Sequence, residues 1–186
     1  MEAPRSSTML RGLAHLERLE HRVCVKLNSK SASPAVGSFF VAVSRLGDGV
    51  IWYSLMILMV LTQGEYGFRA AAVMGGAGLC GLAVYKILKT RLIRERPFMR
   101  HTDIRVATRA LDEHSFPSGH TLHAVMFTTI AVGWFPALAA ALIPLAVLIG
   151  LSRVVLGLHY PSDVVIGALI GWSLAEIALV AVPPGI

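Results

Sequence analysis

Three short segments of the sequence carry polar residues at spacings that could support chemistry on an anion. The residues are lysine, arginine, serine, histidine and aspartate, the types that bind, protonate or attack charged groups. In chain order they are Lys89, then Arg96-Pro97, then Pro117-Ser118-Gly119-His120, then Ser152-Arg153, His159 and Asp163.

The first feature of this set is its positive charge. Lys89, Arg96 and Arg153 are three cations for which the same segments supply no matching pair of carboxylates. Cations without such partners favour an anionic ligand, and the planar fork of arginine fits phosphate oxygens. The three cations therefore predict a site for a phosphate group.

The Pro-Ser-Gly-His turn suits the same ligand. Ser118 is a good N-cap, which predicts that a helix begins there and leaves the amides of Gly119 and His120 free. A helix start carries about half a positive charge and binds phosphate, and glycine lets the backbone approach the ligand closely. We expect an oxyanion cradle at residues 118–120.

The two histidines add reactive groups. His159 and Asp163 stand four residues apart, and Pro161 between them suits the first turn of a helix. The carboxylate can then accept the proton of one ring nitrogen and leave the other as a lone pair, so that His159 is a candidate nucleophile. His120 is the candidate acid that protonates the leaving oxygen.

We expect neither a metal ion nor another cofactor in this site. Its one carboxylate, Asp163, is already assigned to His159. Magnesium would need more oxygen ligands, and zinc would need further histidine, cysteine or carboxylate ligands at coordinating spacings.

The composition places these residues in a membrane protein. Of 186 residues, 55% are hydrophobic and 15% charged, against about 25% charged in soluble domains. A membrane helix needs about 20 apolar residues. Five segments approach that length and one at 34–46 is shorter, so we predict an all-α bundle of six, possibly five, membrane helices: about 34–46, 49–63, 67–88, 118–134, 136–156 and 163–182.

Alternating helix directions would bring the polar segments together. Segment 67–88 ends on the face where 118–134 begins, 136–156 returns to that face, and 163–182 leaves from it. Small residues, including the GxxxG pair Gly167 and Gly171, predict close helix packing. The three motifs should therefore share one membrane face.

The chain divides into an N-terminal amphipathic segment, 1–33, and a membrane domain, 34–186. The basic residues of the first segment favour a cytoplasmic N-terminus. If 34–46 spans the membrane, the motifs lie on the periplasmic face, which is our expectation. If 34–46 only lies on the surface, they face the cytoplasm, and the basic 89–109 loop argues for that alternative.

These motifs resemble the three signatures of the type 2 phosphatidic acid phosphatase superfamily, membrane lipid phosphatases with a histidine nucleophile. The resemblance covers roughly 85–165 and implies a helical bundle with its site at the membrane interface. It implies that His159 forms a phosphohistidine, that Asp163 orients His159, and that His120 is first acid and then base. The other motif residues would hold the phosphoryl oxygens: Lys89, Arg96, Ser118, Gly119 and Arg153.

The expected substrate is a lipid phosphate or pyrophosphate in a bacterial inner membrane, of the undecaprenyl pyrophosphate, phosphatidylglycerophosphate or phosphatidic acid class. Membrane lipids are the expected partners, and nucleic acid is not, because no basic stripe is interleaved with aromatics. Two alternatives stay open: a phosphotransferase, and a non-catalytic protein that binds anionic lipid. The remaining loop charges, including Arg94 and Asp112, are expected to be solvated or to face headgroups.

Overall fold

The chain folds into helices that pack side by side, as the computed structural model describes for residues 4–108, 110 and 112–185, with side chains from residue 14 onward. An isolated β-bridge pairs Glu95 with His114. The helices, which confirm the predicted all-α class, are α1 (Pro4–Asn28), α2 (Pro34–Leu46), α3 (Val50–Arg91), α4 (Pro97–Arg100), α5 (Gly119–Trp134), α6 (Ala139–Val155) and α7 (Pro161–Ala181).

Helix α3 is a hairpin of two helical halves that turn at Gly64, which has φ 56° and ψ −129°. Glycine adopts such a left-handed φ without strain. Close packing of the halves follows at Gly67, where a Cβ atom would lie 1.9 Å from the carbonyl oxygen of Met59. Near the turn, Tyr66 donates a hydrogen bond to the carbonyl of Trp134 at the far end of α5. The second half therefore returns antiparallel to α5.

Helices α5 and α7 make the closest helix contact at the site end. A Cβ atom at Gly167 would lie 2.6 Å from the carbonyl oxygen of Ser118, and one at Gly171 would lie 2.2 Å from that of Leu122. The backbone N–H of Ser118 donates to the carbonyl of Asp163 at 3.0 Å. The GxxxG pair thus allows the start of α5 to rest directly on α7.

Both ends of α2 lie near the same end of the bundle. Just before α2, Asn28 donates from its amide to the carbonyls of Val155 and Arg105. Just after α2, Asp48 contacts His120 at the start of α5. With 13 residues, α2 is about 20 Å long, and it runs along the site end of the bundle.

Helix α1 also packs on this end. Within α1, Glu20 is buried, and its carboxylate accepts a hydrogen bond from the backbone N–H of Ser162 in the first turn of α7. An exposed contact between His21 and Asp103 links α1 to the loop after α4. The N-terminal helix is therefore attached to the loops that carry the motifs.

Three of the described helical stretches are long and apolar enough by themselves to cross a membrane: Val50–Arg91, Pro136–Val155 and Pro161–Ala181. This agrees with the predicted membrane bundle. The first stretch contains both halves of the α3 hairpin, and α5 has 16 residues. The number of membrane helices, six or possibly five, stays a prediction.

Candidate active site

His159 lies in the loop between α6 and α7 and is 2% exposed. Its Nδ1 is 3.6 Å from Oδ2 of Asp163, and its Nε2 is 3.4 Å from Nη1 of Arg96. The first distance is longer than a hydrogen bond, although catalytic contacts are often loose before substrate binds. One ring nitrogen thus faces the carboxylate, as expected from the four-residue spacing, and the other faces a cation.

The first turn of α7 fixes Asp163. This residue is completely buried, and its Oδ2 accepts the backbone N–H of Tyr160 at 2.8 Å. Pro161 supplies the preset φ of the first helical residue. The carboxylate is therefore locked beside His159 by local helix geometry.

The Pro-Ser-Gly-His turn begins α5 as predicted. Ser118 is the N-cap, and its Oγ accepts from the backbone N–H of Thr121 at 3.5 Å. Gly119 leaves no room for a side chain, because a Cβ atom there would lie 2.6 Å from the ring of Tyr85. The start of α5 therefore packs directly against Tyr85.

Lys89 and Arg96 share an acidic partner that sequence reasoning missed. Asp112, expected to be solvated, accepts hydrogen bonds through Oδ1 from Lys89 and from Nη2 of Arg96, the latter at 2.6 Å. Tyr85 donates to its Oδ2 at 2.5 Å. Burial alone raises the pKa of Asp112, but its bonds to Lys89 and Tyr85 outweigh burial and hold that pKa below the ordinary value. An ionised carboxylate therefore sits between the two predicted phosphate-binding cations.

Arg153 and His120 also have partners outside the motifs. Arg153 is 4% exposed and donates to Oγ of Ser44 in α2, while its buried Nε has no hydrogen-bond partner among the described residues. His120 Nε2 is 2.6 Å from Oδ1 of Asp48, in the turn between α2 and α3. Ser44 belongs to the 34–46 segment that we expected to cross the membrane, and Asp48 lies in the turn that follows it.

The surroundings of His159 are strongly positive. Burial, followed by the charges of Arg153 and Arg96, lowers the pKa of His159 well below its ordinary value. The imidazole is therefore neutral at pH 7, the state in which a ring nitrogen has a free lone pair. This is the protonation state that a nucleophile requires.

A groove of about 580 Å³ extends from His120 and Asp48 along the α3 hairpin. Its walls are mostly apolar and include Met56, Gly75 and Leu79. A Cβ atom at Gly75 would meet nothing within 4 Å, so that this glycine widens the groove. The groove joins the polar end of the bundle to its apolar flank.

One group of side chains outside the motifs could hold a metal ion. Donor atoms of His21, His101 and Asp103 lie within 4.8 Å of one another, between α1 and the loop after α4. The two imidazoles stack with centroids 4.0 Å apart, and His21 bonds to Asp103. His101 and Asp103 are close in sequence, but His21 lies far from both, so that spacing gave no signal for the group. None of them belongs to the His159 cluster.

The structure brings all eight predicted site residues to one end of the bundle. The neighbours that sequence reasoning missed are Glu20, Asp48 and Asp112, together with Arg94, which pairs with Asp163. None of these four lies at a motif spacing that would mark it in a single sequence. Each lies in a loop or helix whose position depends on tertiary packing.

Relatives with similar sequences are named phosphatases. Decaprenylphosphoryl-5-phosphoribose phosphatase of Mycolicibacterium smegmatis is 36% identical over 155 residues, covering 81% of this chain and 82% of that protein. Undecaprenyl-diphosphatase BcrC of Bacillus subtilis is 30% identical over 128 residues, 65% of this chain. The matched part spans 62% of BcrC.

The fold is also similar to a solved structure. The crystal structure of Aquifex aeolicus LpxE matches with a TM-score of 0.72 and 28% identity, covering 85% of this chain and 93% of that one. A model of the PAP2 superfamily matches residues 67–184, which include all three motifs. This chain therefore belongs to the PAP2 superfamily.

Proposed function

We propose that this protein is a metal-independent phosphatase that hydrolyses a lipid phosphate or pyrophosphate through a phosphohistidine. The observation that carries the proposal is the position of His159, neutral and buried, with Nδ1 toward Asp163 and Nε2 toward Arg96. A nucleophile oriented by a carboxylate and placed beside cations suits attack on a phosphate.

The first half of the reaction forms a P–N bond and breaks a P–O bond. His159 Nε2 attacks phosphorus, and Asp163 stabilises the positive charge that develops on the imidazole. His120 gives a proton to the leaving oxygen. Its Nε2 is bonded to Asp48, which leaves Nδ1 available for that transfer. Burial and the charge of Arg153 favour neutral His120, and the carboxylate of Asp48 is the group that favours the protonated form, which an acid requires.

The second half reverses these roles. His120, now neutral, takes a proton from water, whose oxygen attacks phosphorus and breaks the P–N bond. Inorganic phosphate leaves, and both histidines regain their starting protonation states. The phosphoryl oxygens are held throughout by three cations, by the hydroxyl of Ser118 and by the helix-start amide of Gly119. The cations are Lys89, Arg96 and Arg153.

The position of the Asp112 carboxylate supports the proposal that a substrate anion binds between Lys89 and Arg96. The carboxylate already occupies the space between Lys89 and Arg96 and is bonded to both. A phosphoryl group carries more charge and more acceptor oxygens than a carboxylate. We infer that substrate takes over these two cations from Asp112.

The groove supports a lipid as the carrier of that phosphate. It opens from His120 into the apolar flank of the α3 hairpin, where an acyl or prenyl chain can lie. Two relatives are named for decaprenylphosphoryl and undecaprenyl substrates. We therefore place polyprenyl-linked phosphates ahead of phosphatidylglycerophosphate and phosphatidic acid as substrates.

We further propose that the site faces the cytoplasm, the alternative left open by sequence. Both ends of α2 lie near the site, which favours five membrane crossings, two of them in the α3 hairpin. Among Lys and Arg side chains that the structure describes, Arg69, over the ring of Trp134, is the one at the opposite end. The positive-inside rule then assigns the site end to the cytoplasm.

Cysteine labelling tests the orientation. Cys80 is exposed, so that the background is Cys80→Ser, and single cysteines are introduced as Gln63→Cys near the far turn and Glu113→Cys near the site. An impermeant maleimide should label intact cells at position 63 and label position 113 only after permeabilisation. The reverse pattern would return the site to the periplasm.

Activity is tested by phosphate release from a panel of purified lipid phosphates, in detergent with EDTA present. Wild type should release phosphate, and His159→Ala should lose at least about 10³-fold in rate. His15→Ala, at an exposed histidine of α1, is the matched control. Radiolabelled phosphate should be trapped on wild type by an alkaline quench, because phosphohistidine is acid-labile.

Three outcomes would overturn the proposal. EDTA-sensitive activity would require a metal. Turnover by His159→Ala at the wild-type rate would exclude His159 as the nucleophile. Binding of lipid by the wild-type protein without turnover would favour the non-catalytic alternative. Isotopic water separates hydrolysis from transfer, because only hydrolysis puts the heavy oxygen into the released phosphate.

A further inference from the structure

We propose that Arg94 and Glu20 are positioning residues for the Asp163–His159 pair, and that α1 is therefore part of the catalytic apparatus. The inference rests on the proposed phosphatase function, since it names the groups that hold the nucleophile. Neither residue belongs to a motif, and Arg94 was expected to face solvent or a lipid headgroup.

Asp163 needs a counter-ion, because it is an entirely buried carboxylate. An unpaired buried charge is costly and tends to take up a proton instead. Among the described residues, Arg94 is the cation that pairs with Asp163, with Nη1 donating to Oδ1 at 2.6 Å. The other oxygen, Oδ2, is thereby left to face His159.

Arg94 is itself held on several sides. Its Nη2 donates to Oε2 of Glu20 at 2.7 Å, and its Nη1 also donates to Oγ of Ser162 at 2.8 Å. The guanidinium lies over the ring of Tyr160, 4.1 Å from the centroid. Both terminal nitrogens are engaged with protein acceptors, so that Arg94 is placed to fix Asp163 and not to bind substrate.

Glu20 completes the arrangement from α1. It is 6% exposed, and its Oε1 accepts the backbone N–H of Ser162 at 2.9 Å while its Oε2 accepts from Arg94. The negative charge of Glu20 balances Arg94, so that Arg94 does not cancel the charge of Asp163. Asp163 can then stabilise the positive charge that develops on His159 during attack.

The charged and titratable groups around Asp163 come from the neighbouring loops and from α1. They are Arg94, His159 and Tyr160 from loops, and Glu20 and Cys24 from α1. Loss of Arg94 removes the ion-pair partner, and the buried carboxylate then binds a proton at higher pH. The acid limb of kcat should move to higher pH in Arg94→Gln.

The test compares kcat, KM and the pH profile of lipid phosphate release for Arg94→Gln, Arg94→Lys and Glu20→Gln. The matched control is Glu17→Gln, an exposed α1 glutamate one turn earlier whose contact with Arg100 is also exposed. Removing the outer partner of a metal-ligating histidine typically costs about 10–100-fold, and we take the same range for the Asp163–His159 pair. We expect that loss in kcat for Arg94→Gln and a smaller loss for Glu20→Gln, with KM nearly unchanged. Arg94→Lys should recover part of the activity, and Glu17→Gln should match wild type.

Several results would overturn the proposal. A raised KM with unchanged kcat in Arg94→Gln would make Arg94 a substrate contact. Equal behaviour of Glu20→Gln and Glu17→Gln would remove α1 from the catalytic apparatus. A loss of kcat in Arg94→Gln without a move of the acid limb would indicate a structural role alone.

A measurement without substrate separates this inference from the proposed function. The ¹⁵N resonances of His159, assigned by comparison with His159→Gln, report which ring nitrogen carries the proton. In wild type the proton should reside on Nδ1, toward Asp163, and Arg94→Gln should weaken that preference in protein that still unfolds cooperatively. An unchanged His159 spectrum would overturn the positioning role even if no lipid in the panel proves to be a substrate.

Discussion

His120 Nε2 and Asp48 Oδ1 lie 2.6 Å apart and join the start of α5 to the turn between α2 and α3. Asp48 is 72 residues from His120 in sequence and belongs to no motif. Its carboxylate fixes the orientation of the imidazole and stabilises its protonated form. The turn that follows the 34–46 segment thus supplies a partner to the proposed acid.

Asp48→Asn should lower kcat by about tenfold, less than the roughly 10²–10⁴-fold that general acid catalysis contributes, because His120 itself remains. Without the carboxylate, protonated His120 loses its partner and gives up its proton at lower pH, so the basic limb of kcat should move to lower pH. The pH dependence of kcat measures this. Asp103→Asn, which alters an exposed contact with His21, is the control. A wild-type profile for Asp48→Asn would contradict the prediction.

The lowered pKa of His159 predicts the acid side of the kcat/KM profile. Burial and then Arg153 keep the imidazole neutral below its ordinary pKa, so that His159 should not limit activity as pH falls through about 6.5. In Arg153→Gln one cation is lost, the pKa of His159 rises, and the acid limb should move to higher pH.

The pH profiles of kcat/KM for wild type and Arg153→Gln are measured with the same substrate, because the ionisation of the substrate then affects both profiles equally. Arg153→Gln should also raise KM, since a phosphoryl contact is lost. An acid limb that stays in place would show that Arg153 does not set the protonation of His159.

Asp112→Asn should strengthen inhibition by anions that bind the cationic pocket. The wild-type carboxylate competes for Lys89 and Arg96, whereas a neutral amide competes less. We expect the inhibition constant of orthovanadate to fall by about tenfold, which corresponds to about 1.4 kcal/mol. Glu113→Gln, an exposed change in the same loop, should leave it unchanged. Weaker inhibition in Asp112→Asn would indicate that Asp112 organises the two cations more than it competes for them.

Gly75→Leu should discriminate against long lipid chains. Gly75 lines the groove, and a side chain there would enter open space without disturbing a helix contact. KM should rise for a polyprenyl phosphate and stay nearly constant for a short-chain analogue. Gly76→Leu, at a neighbouring glycine outside the groove with no atom in reach of its Cβ, is the control. Equal effects on both chain lengths would exclude this groove as the chain site.

Local sequence was enough to predict the helices and the motif residues. The apolar segments 49–63 and 67–88 correspond to the two halves of α3, and the break between them falls at Gly64, where the backbone needs a positive φ. Pro161 begins α7, so that Asp163 in its first turn lies close to His159 in the preceding loop, which is why the four-residue spacing is enough to predict their pairing. The alternating directions of the helices then placed the motifs at one end.

Tertiary structure alone decided what surrounds the motifs. Asp112 reaches Lys89 and Arg96, and Glu20 reaches Arg94, only because loops and α1 fold back over the site end. The position of α2 could not be predicted from sequence either, because a 13-residue apolar helix fits either a short membrane span or a surface position. Sequence spacing determines contacts within one helix turn, whereas partners separated by tens of residues depend on how separate helices pack.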